Sequence, residues 1–205
     1  MSISTNDSPK EVLDEVMEEY EKTLVVPNHK SSPQWMLMPV GLVGSGKTTI
    51  VKPLAEHFGL IRISTDEVRE QLKRRGYSYE GAREITHELQ KKYLELGYSI
   101  AIDANTGSPH GLEFNKKTEE AFPQVRQLFI HINPPEEFIV NKLRNYNHTW
   151  LFKDGDHAVE RFRFHKEKFT LPNLPFVYTF DTSRGDLPEQ IKKGIEAIEE
   201  KLNQR

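Results

Sequence analysis

The segment Gly41-Leu42-Val43-Gly44-Ser45-Gly46-Lys47-Thr48 obeys the spacing G-x-x-x-x-G-K-[ST], the most chemically specific pattern in the chain. Glycines let a backbone close around phosphate oxygens, so that successive N–H groups and the positive end of the following helix face one anion. Gly41, Val43, Gly44, Ser45 and Gly46 would line such a cradle. Lys47 adds a point charge reaching the β and γ phosphates, Thr48 a hydroxyl for Mg2+, and Thr49 a contact to the α phosphate. The ligands implied are ATP, or another nucleotide, and Mg2+.

Three further stations follow. Ile63-Ser64-Thr65-Asp66-Glu67-Val68-Arg69 sits at the end of a strand candidate, where open α/β sheets place ligands. Asp66 would accept the proton of an acceptor hydroxyl, and Arg69, one turn later, would hold a polar or anionic part of that acceptor. A plainer role is open to the same residues, with Ser64 or Thr65 capping a helix and Glu67 or Glu70 in its first turn. Asp103 ends the apolar run from Ser99 and would face Mg2+ or one of its waters. Asn105, just beyond, is a candidate acceptor or phosphate contact. From Asn141 to Lys168 seven bases meet four acids. Arg144, Lys153, Arg161 and Arg163 lie around Thr149 to Asp156, which reads as a mobile lid closing cations over a transferring phosphoryl group. A solvated basic helix face is the alternative.

Elements able to hold these stations alternate along the chain. Strand candidates are 35–42, 60–64, 99–103, 125–132 and 176–180. Helices are expected over 48–58, 66–75, 79–96, 112–121, 135–145, 156–169 and 187–202. Strands separated by helices imply a parallel sheet covered on both faces. Pro53 falls inside the first of these helices, where its missing N–H and its ring predict a kink. Ahead of the sheet, Leu13, Val16, Met17, Tyr20 and Leu24 form one helical stripe over 9–24, expected to dock on the body with its acidic face solvated. Val25 to Gln34 reads as a linker. The domain division expected is 1–34, helix and linker, and 35–205, catalytic body with a lid around 146–165.

The chain has 205 residues and a net charge of -3, of which residues 1–24 contribute -5 and the remainder +2. That near-neutral body argues against gripping long nucleic acid by backbone charge and leans toward a small or short acceptor. No run of 18 apolar residues is present, so no membrane-spanning helix is expected. The absence of cysteine excludes disulfides and thiolate zinc sites, and the first residues lack the basic start and apolar stretch of a secretory signal. Cytoplasm is the expected compartment. None of the eight histidines forms an HxxxH pair. Lys73-Arg74-Arg75 is expected to stabilise a helix C-terminus. Trp35, Tyr77, Tyr79 and Trp150 are expected to pack, with Tyr77 and Trp150 open to bordering an acceptor pocket.

GLVGSGKTT at 41–49, STDEVR at 64–69, SIAIDAN at 99–105 and PPEEFIVNKLRN at 134–145, in that order, resemble the polynucleotide-kinase-like P-loop kinases, a group that includes zeta-toxin and AAA-type ATP-binding domains. The resemblance covers about residues 35–181. It implies a three-layer P-loop NTPase fold, a five-stranded parallel sheet of order 2-3-1-4-5 with a helical lid. It also implies ATP as phosphoryl donor and a hydroxyl acceptor, either a small molecule or a nucleic-acid 5'-end. On it, Asp66 inherits the general-base role, Arg69 the acceptor-phosphate contact, and Lys47 with Thr48 the ATP and Mg2+ contacts. Polynucleotide kinases often show R-N-x-x-R where this chain has Arg144-Asn145-Tyr146-Asn147-His148. A largely neutral histidine cannot fork onto a phosphate, which leaves the transition-state charge to Arg161 or Arg163, with Arg144 positioning the acceptor. The reading is therefore an ATP-dependent kinase. A nucleotide-dependent binding switch or slow ATPase, and a zeta-toxin-like nucleotide-sugar kinase, are the alternatives.

Overall fold

The computed structural model describes residues 9–145 and 151–204. In chain order the elements are α1 (Lys10–Glu21), β1 (Trp35–Val40), α2 (Lys47–Phe58), β2 (Ile61–Ser64), α3 (Thr65–Arg74), α4 (Ala82–Glu95), β3 (Ile100–Asp103), α5 (Pro109–Ala121), β4 (Arg126–Ile132), α6 (Glu136–Asn145), α7 (Gly155–Lys168), β5 (Phe176–Phe180) and α8 (Leu187–Asn203). The five strands form one parallel sheet in the order β2-β3-β1-β4-β5, as expected. None of the helices described is long and apolar enough to cross a membrane.

Strand β1 shows why the sheet is covered on both sides. Met36, Met38 and Val40 enter one core with α1, α3 and α4, while Trp35 and Leu37 enter the other with α2 and α8. All six residues of β1 are buried, as the period-two geometry of a central parallel strand demands. Trp35 packs edge-on against Phe58 at 5.3 Å, the packing role expected of it.

Helix boundaries depart from expectation where capping chemistry decides them. Helix α5 starts at Pro109, earlier than its apolar pattern, because the Ser108 side chain accepts from the Gly111 N–H and proline suits a first turn. Helix α2 continues through Pro53, so the proline does not interrupt it. Buried Leu54 and Ala55 hold that stretch against the sheet.

Helix α1 docks by its stripe, with Val16 and Tyr20 in the core. Its acidic flank is not wholly solvated. Glu15 and Glu19 both pair with Arg75, and Glu21 takes Lys92 and the Tyr93 hydroxyl. Arg75 thus serves α1 rather than only its own helix end, whereas Arg74 pairs with Glu70.

His87 of α4 stacks on Phe114 of α5, with ring centroids 3.7 Å apart and planes 11° apart. Burial, helped by the charges of Arg83 and Lys117, lowers its imidazole from 6.5 to about 4. Between those values the unfolded chain takes up a proton that the folded chain refuses. The stability contribution is therefore complete above about 6.5 and is lost as pH falls toward 4. His87→Phe, which keeps a stacked ring, is expected to flatten the fall in melting temperature across that window. An unchanged slope would count against the buried neutral imidazole.

Candidate active site

The sheet topology places the site. Strand β1 is central, and the loop leaving it, 41–46, sits at the C-terminal end of the sheet with β3 on one side and β4 on the other. Gly44 and Gly46 have φ of +80° and +92°, a region that L side chains avoid. A Cβ on Gly46 would lie 2.9 Å from Thr182 Cγ2, and one on Gly41 would lie 2.7 Å from both the Ile132 carbonyl oxygen and Ser45 Oγ. A cradle this tight has no room for side chains. Ser45 Oγ is buried with no hydrogen-bond partner, a polar group left for an incoming ligand. Gly46→Ala is expected to lose about 1–2 kcal/mol of stability from the left-handed backbone alone and to weaken nucleotide binding. Melting curves with and without ADP test both effects.

Lys47 turns its ammonium onto the loop, donating to the carbonyl oxygens of Gly41 at 3.0 Å and Leu42 at 2.9 Å. Burial lowers its pKa; the carboxylates of Asp66 and Asp103 oppose that shift, and the cations Lys142 and Arg69 add to it. Four charged side chains from α3, β3 and α6 therefore act on one ammonium at the mouth of the loop. Thr48 and Thr49 are exposed on the first turn of α2. Thr48 Oγ1 donates to Asp103 Oδ1 at 3.0 Å.

Asp103 ends β3 with its side chain 2% exposed. Burial raises its carboxyl, and Arg62, Thr48 and Lys47 work against that rise. Its second oxygen takes Nη1 of Arg62 at 2.6 Å, and Nη2 of the same guanidinium meets Glu67. Burial disfavours the charge of Arg62, but Glu67 and Asp103 outweigh it and raise the pKa. Thr48 and Asp103 are oxygen donors of the kind Mg2+ takes.

Asp66 stands on the first turn of α3, which Ser64 caps by accepting from the Glu67 N–H at 3.4 Å. Ser64 thus takes the capping role, and Asp66 remains 53% exposed. Arg69 donates to Asp66 Oδ1 at 2.8 Å, while its buried Nε has no partner. Tyr79, rather than Tyr77, is the aromatic beside it, with the guanidinium 5.8 Å and the Lys73 ammonium 5.6 Å from the ring.

Asn105 has its Oδ1 occupied by the N–H groups of Gly41 and Gly107, at 3.3 and 3.2 Å, so it ties the β3–α5 turn to the loop. Arg144 lies in the last turn of α6 and is exposed. Helices α6 and α7 share a small core of Ile139, Leu143, Ala158, Val159 and Phe162, against which Leu42 and Val43 of the loop pack. On α7, Arg161 lies 3.5 Å from His165 and 5.1 Å from the Phe164 ring. Burial lowers the His165 pKa, and the charges of Arg161, Lys168 and Arg69 lower it further. Arg163, two residues from Arg161, points to another side of the helix. Tyr146, Asn147, His148, Thr149 and Trp150 lie outside the described residues.

Three contributors escape the sequence reading. Lys142 is one of the charges acting on Lys47, and its own pKa is lowered by burial. The packing of Gly44 against Ile139 and Leu143 brings its helix there. Arg62 could have been found, since an arginine inside the buried strand Ile-Arg-Ile-Ser calls for a carboxylate partner. Thr182, after β5, donates to the Ser45 carbonyl oxygen at 2.7 Å. Nothing local in the sequence signals that contact. Beside it, on the β4–β5 side, a cavity of about 410 Å³ is lined by Leu42, Asn133, Glu136, Phe162 and Asp181.

A glycine-rich cradle leaving the central strand of this sheet defines a P-loop NTPase, in the three-layer form of the small P-loop kinases. The sequence profile of the AAA domain family matches residues 36–145, and the chain belongs to that family. Among solved structures it is similar to the APS kinase CysC of Mycobacterium tuberculosis, at 16% identity and a TM-score of 0.54 over 82% of this chain and 99% of that one. It is also similar to a gluconokinase of Sinorhizobium meliloti 1021, at 14% identity and a TM-score of 0.56 over 83% and 95% of the two chains. A structure from the PezAT chromosomal toxin-antitoxin system of Streptococcus pneumoniae matches at 17% identity and a TM-score of 0.57, over 97% of this chain and 99% of that one. At these identities the likeness is one of fold. No curated protein matches the chain significantly.

Proposed function

We propose that the protein is an ATP-dependent kinase that transfers the γ-phosphoryl group to a hydroxyl of a small molecule or of a nucleic-acid 5'-end. The observation that carries this reading is the pair of carboxylates beside Lys47: Asp103 at the end of β3, and Asp66 on the first turn of α3, two residues beyond Ser64, the register partner of Asp103. A nucleotide sensor needs the cradle and a metal carboxylate. A second, half-exposed carboxylate beside the cradle is what a hydroxyl nucleophile needs.

The step balances as follows. Asp66 takes the proton of the acceptor hydroxyl as that oxygen bonds to the γ phosphorus; the bond from the γ phosphorus to the β–γ bridging oxygen breaks, and ADP leaves with the electron pair. Lys47 and the loop N–H groups hold the phosphate charge, and Lys142 adds a cation from α6. Arg69 and Arg144 position the acceptor, and Arg161 is the arginine of α7 that completes the charge cage. Asn105 sets the loop beneath it. Thr48 and Asp103 would hold Mg2+, which when bound neutralises phosphate charge. The 410 Å³ cavity on the β4–β5 side is assigned to the base of the nucleotide, and the α3–α4 side to the acceptor. On that side burial lowers the pKa of Arg83 and the neighbouring charge of Arg69 lowers it further, and two guanidinium groups acting on one another favour an acceptor carrying negative charge.

The test is transfer of label from γ-labelled ATP to a panel of sugars, nucleosides, nucleotide sugars and 5'-hydroxyl oligonucleotides. Label on one acceptor class is the expected result. Label released only as inorganic phosphate would replace the kinase with a slow ATPase or switch.

A further inference from the structure

Tyr20 of α1 is buried, and its hydroxyl stands where three elements meet. It accepts a hydrogen bond from the Ser64 backbone N–H at 2.7 Å and donates to Glu67 Oε2 at 3.3 Å. The other oxygen of Glu67 takes Nη2 of Arg62, and Nη1 of Arg62 donates to Asp103 Oδ2 at 2.6 Å. Thr48 holds the remaining oxygen of Asp103 at 3.0 Å. A line of polar contacts thus runs from the N-terminal helix through α3, β2 and β3 to the first turn of α2. It ends on the two side chains proposed for Mg2+, although α1 lies outside the matched residues 36–145.

The arrangement is restrictive. With one carboxylate oxygen on Arg62 and the other on Thr48, Asp103 cannot rotate without breaking a hydrogen bond. Arg62, its side chain 19% exposed, is kept from swinging by Glu67, and Glu67 by Tyr20. Partners one step removed from a metal ligand orient it and tune its affinity. The same hydroxyl holds the N–H at the start of α3, two residues before Asp66.

We infer that Tyr20 is a positioning residue of the active site, fixing the Asp103 carboxylate toward Thr48 through Glu67 and Arg62, so that the N-terminal helix governs how well the loop takes a metal-bound nucleotide. The inference rests on the assignment of Thr48 and Asp103 to Mg2+ made above. Removing the hydroxyl does not undock α1, because Val16 and the pairs of Glu15, Glu19 and Glu21 with α4 and the end of α3 remain.

Calorimetric titration of ADP into the full chain, once in excess Mg2+ and once in EDTA, separates positioning from mere support. In EDTA, Tyr20→Phe and Glu67→Gln are expected to bind ADP as the unchanged chain does, since the loop and Lys47 are intact. The gain in affinity on adding Mg2+ is expected to shrink roughly 3- to 10-fold in Tyr20→Phe, the worth of one hydrogen bond, and about 10-fold or more in Glu67→Gln. A Mg2+ gain equal to that of the unchanged chain in both variants would overturn the inference. So would an equal loss with and without metal, which marks a structural role. An unchanged chain whose ADP affinity ignores Mg2+ would overturn the metal assignment and this inference together. The absence of any labelled acceptor, with the Mg2+ effects as expected, would remove the kinase reading alone.

Discussion

Asp66→Asn is expected to lower turnover by about 10²- to 10⁴-fold, the usual worth of a positioned general base, with ADP affinity unchanged. The substitution is nearly isosteric, and Asp66 is 53% exposed, so the fold has little to lose. Its ion pair with Arg69 is of the exposed kind that contributes about 0–1 kcal/mol. The asparagine can still accept from Arg69 but cannot take a proton from a hydroxyl. The loss should therefore fall on kcat and on kcat/KM alike, with little change in nucleotide binding. Steady-state rates and ADP titrations on the same preparation make the comparison. Full turnover in the variant would remove Asp66 from the chemistry.

Lys47→Met is expected to lower turnover by roughly 10²- to 10³-fold, the scale of losing one preorganised charge at the transferring group, and to weaken ATP binding as well. Its effect on stability should run the other way. The Lys47 ammonium is held among loop carbonyls, and burial lowers its pKa on balance, with the carboxylates of Asp66 and Asp103 opposing that shift and two cations adding to it. Methionine keeps the stem's packing without the charge, so the free variant should melt at the same temperature or higher. The unchanged protein, in contrast, should gain more melting temperature from ATP than the variant does. A variant that binds and turns over normally would mean that the lysine does not reach the phosphates.

The fold was largely legible because its signals are local. Strand β1 and the glycine spacing of 41–48 specify a buried strand, a tight turn and a helix start within fourteen consecutive residues. The C-terminal ends of β2 and β3 carry Ser64 and Asp103 in register, so placing both strands in one sheet also places the carboxylates of Asp103 and of Asp66, two residues past Ser64, near the loop. What escaped depends on pairs far apart in sequence. Tyr20 with Ser64, Arg62 with Asp103, and Thr182 with Ser45 are contacts that periodicity cannot express. Asn105 was legible as a polar residue at a strand end, but not its two backbone partners. For α7, Arg161 and Arg163 flank the buried Phe162 on opposite sides, so periodicity alone does not choose between them.

The central claim is that the loop 41–48 cradles the phosphates while Asp66 faces the terminal phosphorus. A crystal structure with ADP, Mg2+ and aluminium fluoride, grown with an acceptor found by the labelling screen, tests it most directly. The fluoride group is expected between Lys47 and the Asp66 carboxylate, with the acceptor hydroxyl within hydrogen-bond distance of Asp66. Phosphates bound elsewhere, or an Asp66 side chain still closed on Arg69 and turned from the fluoride, would contradict it.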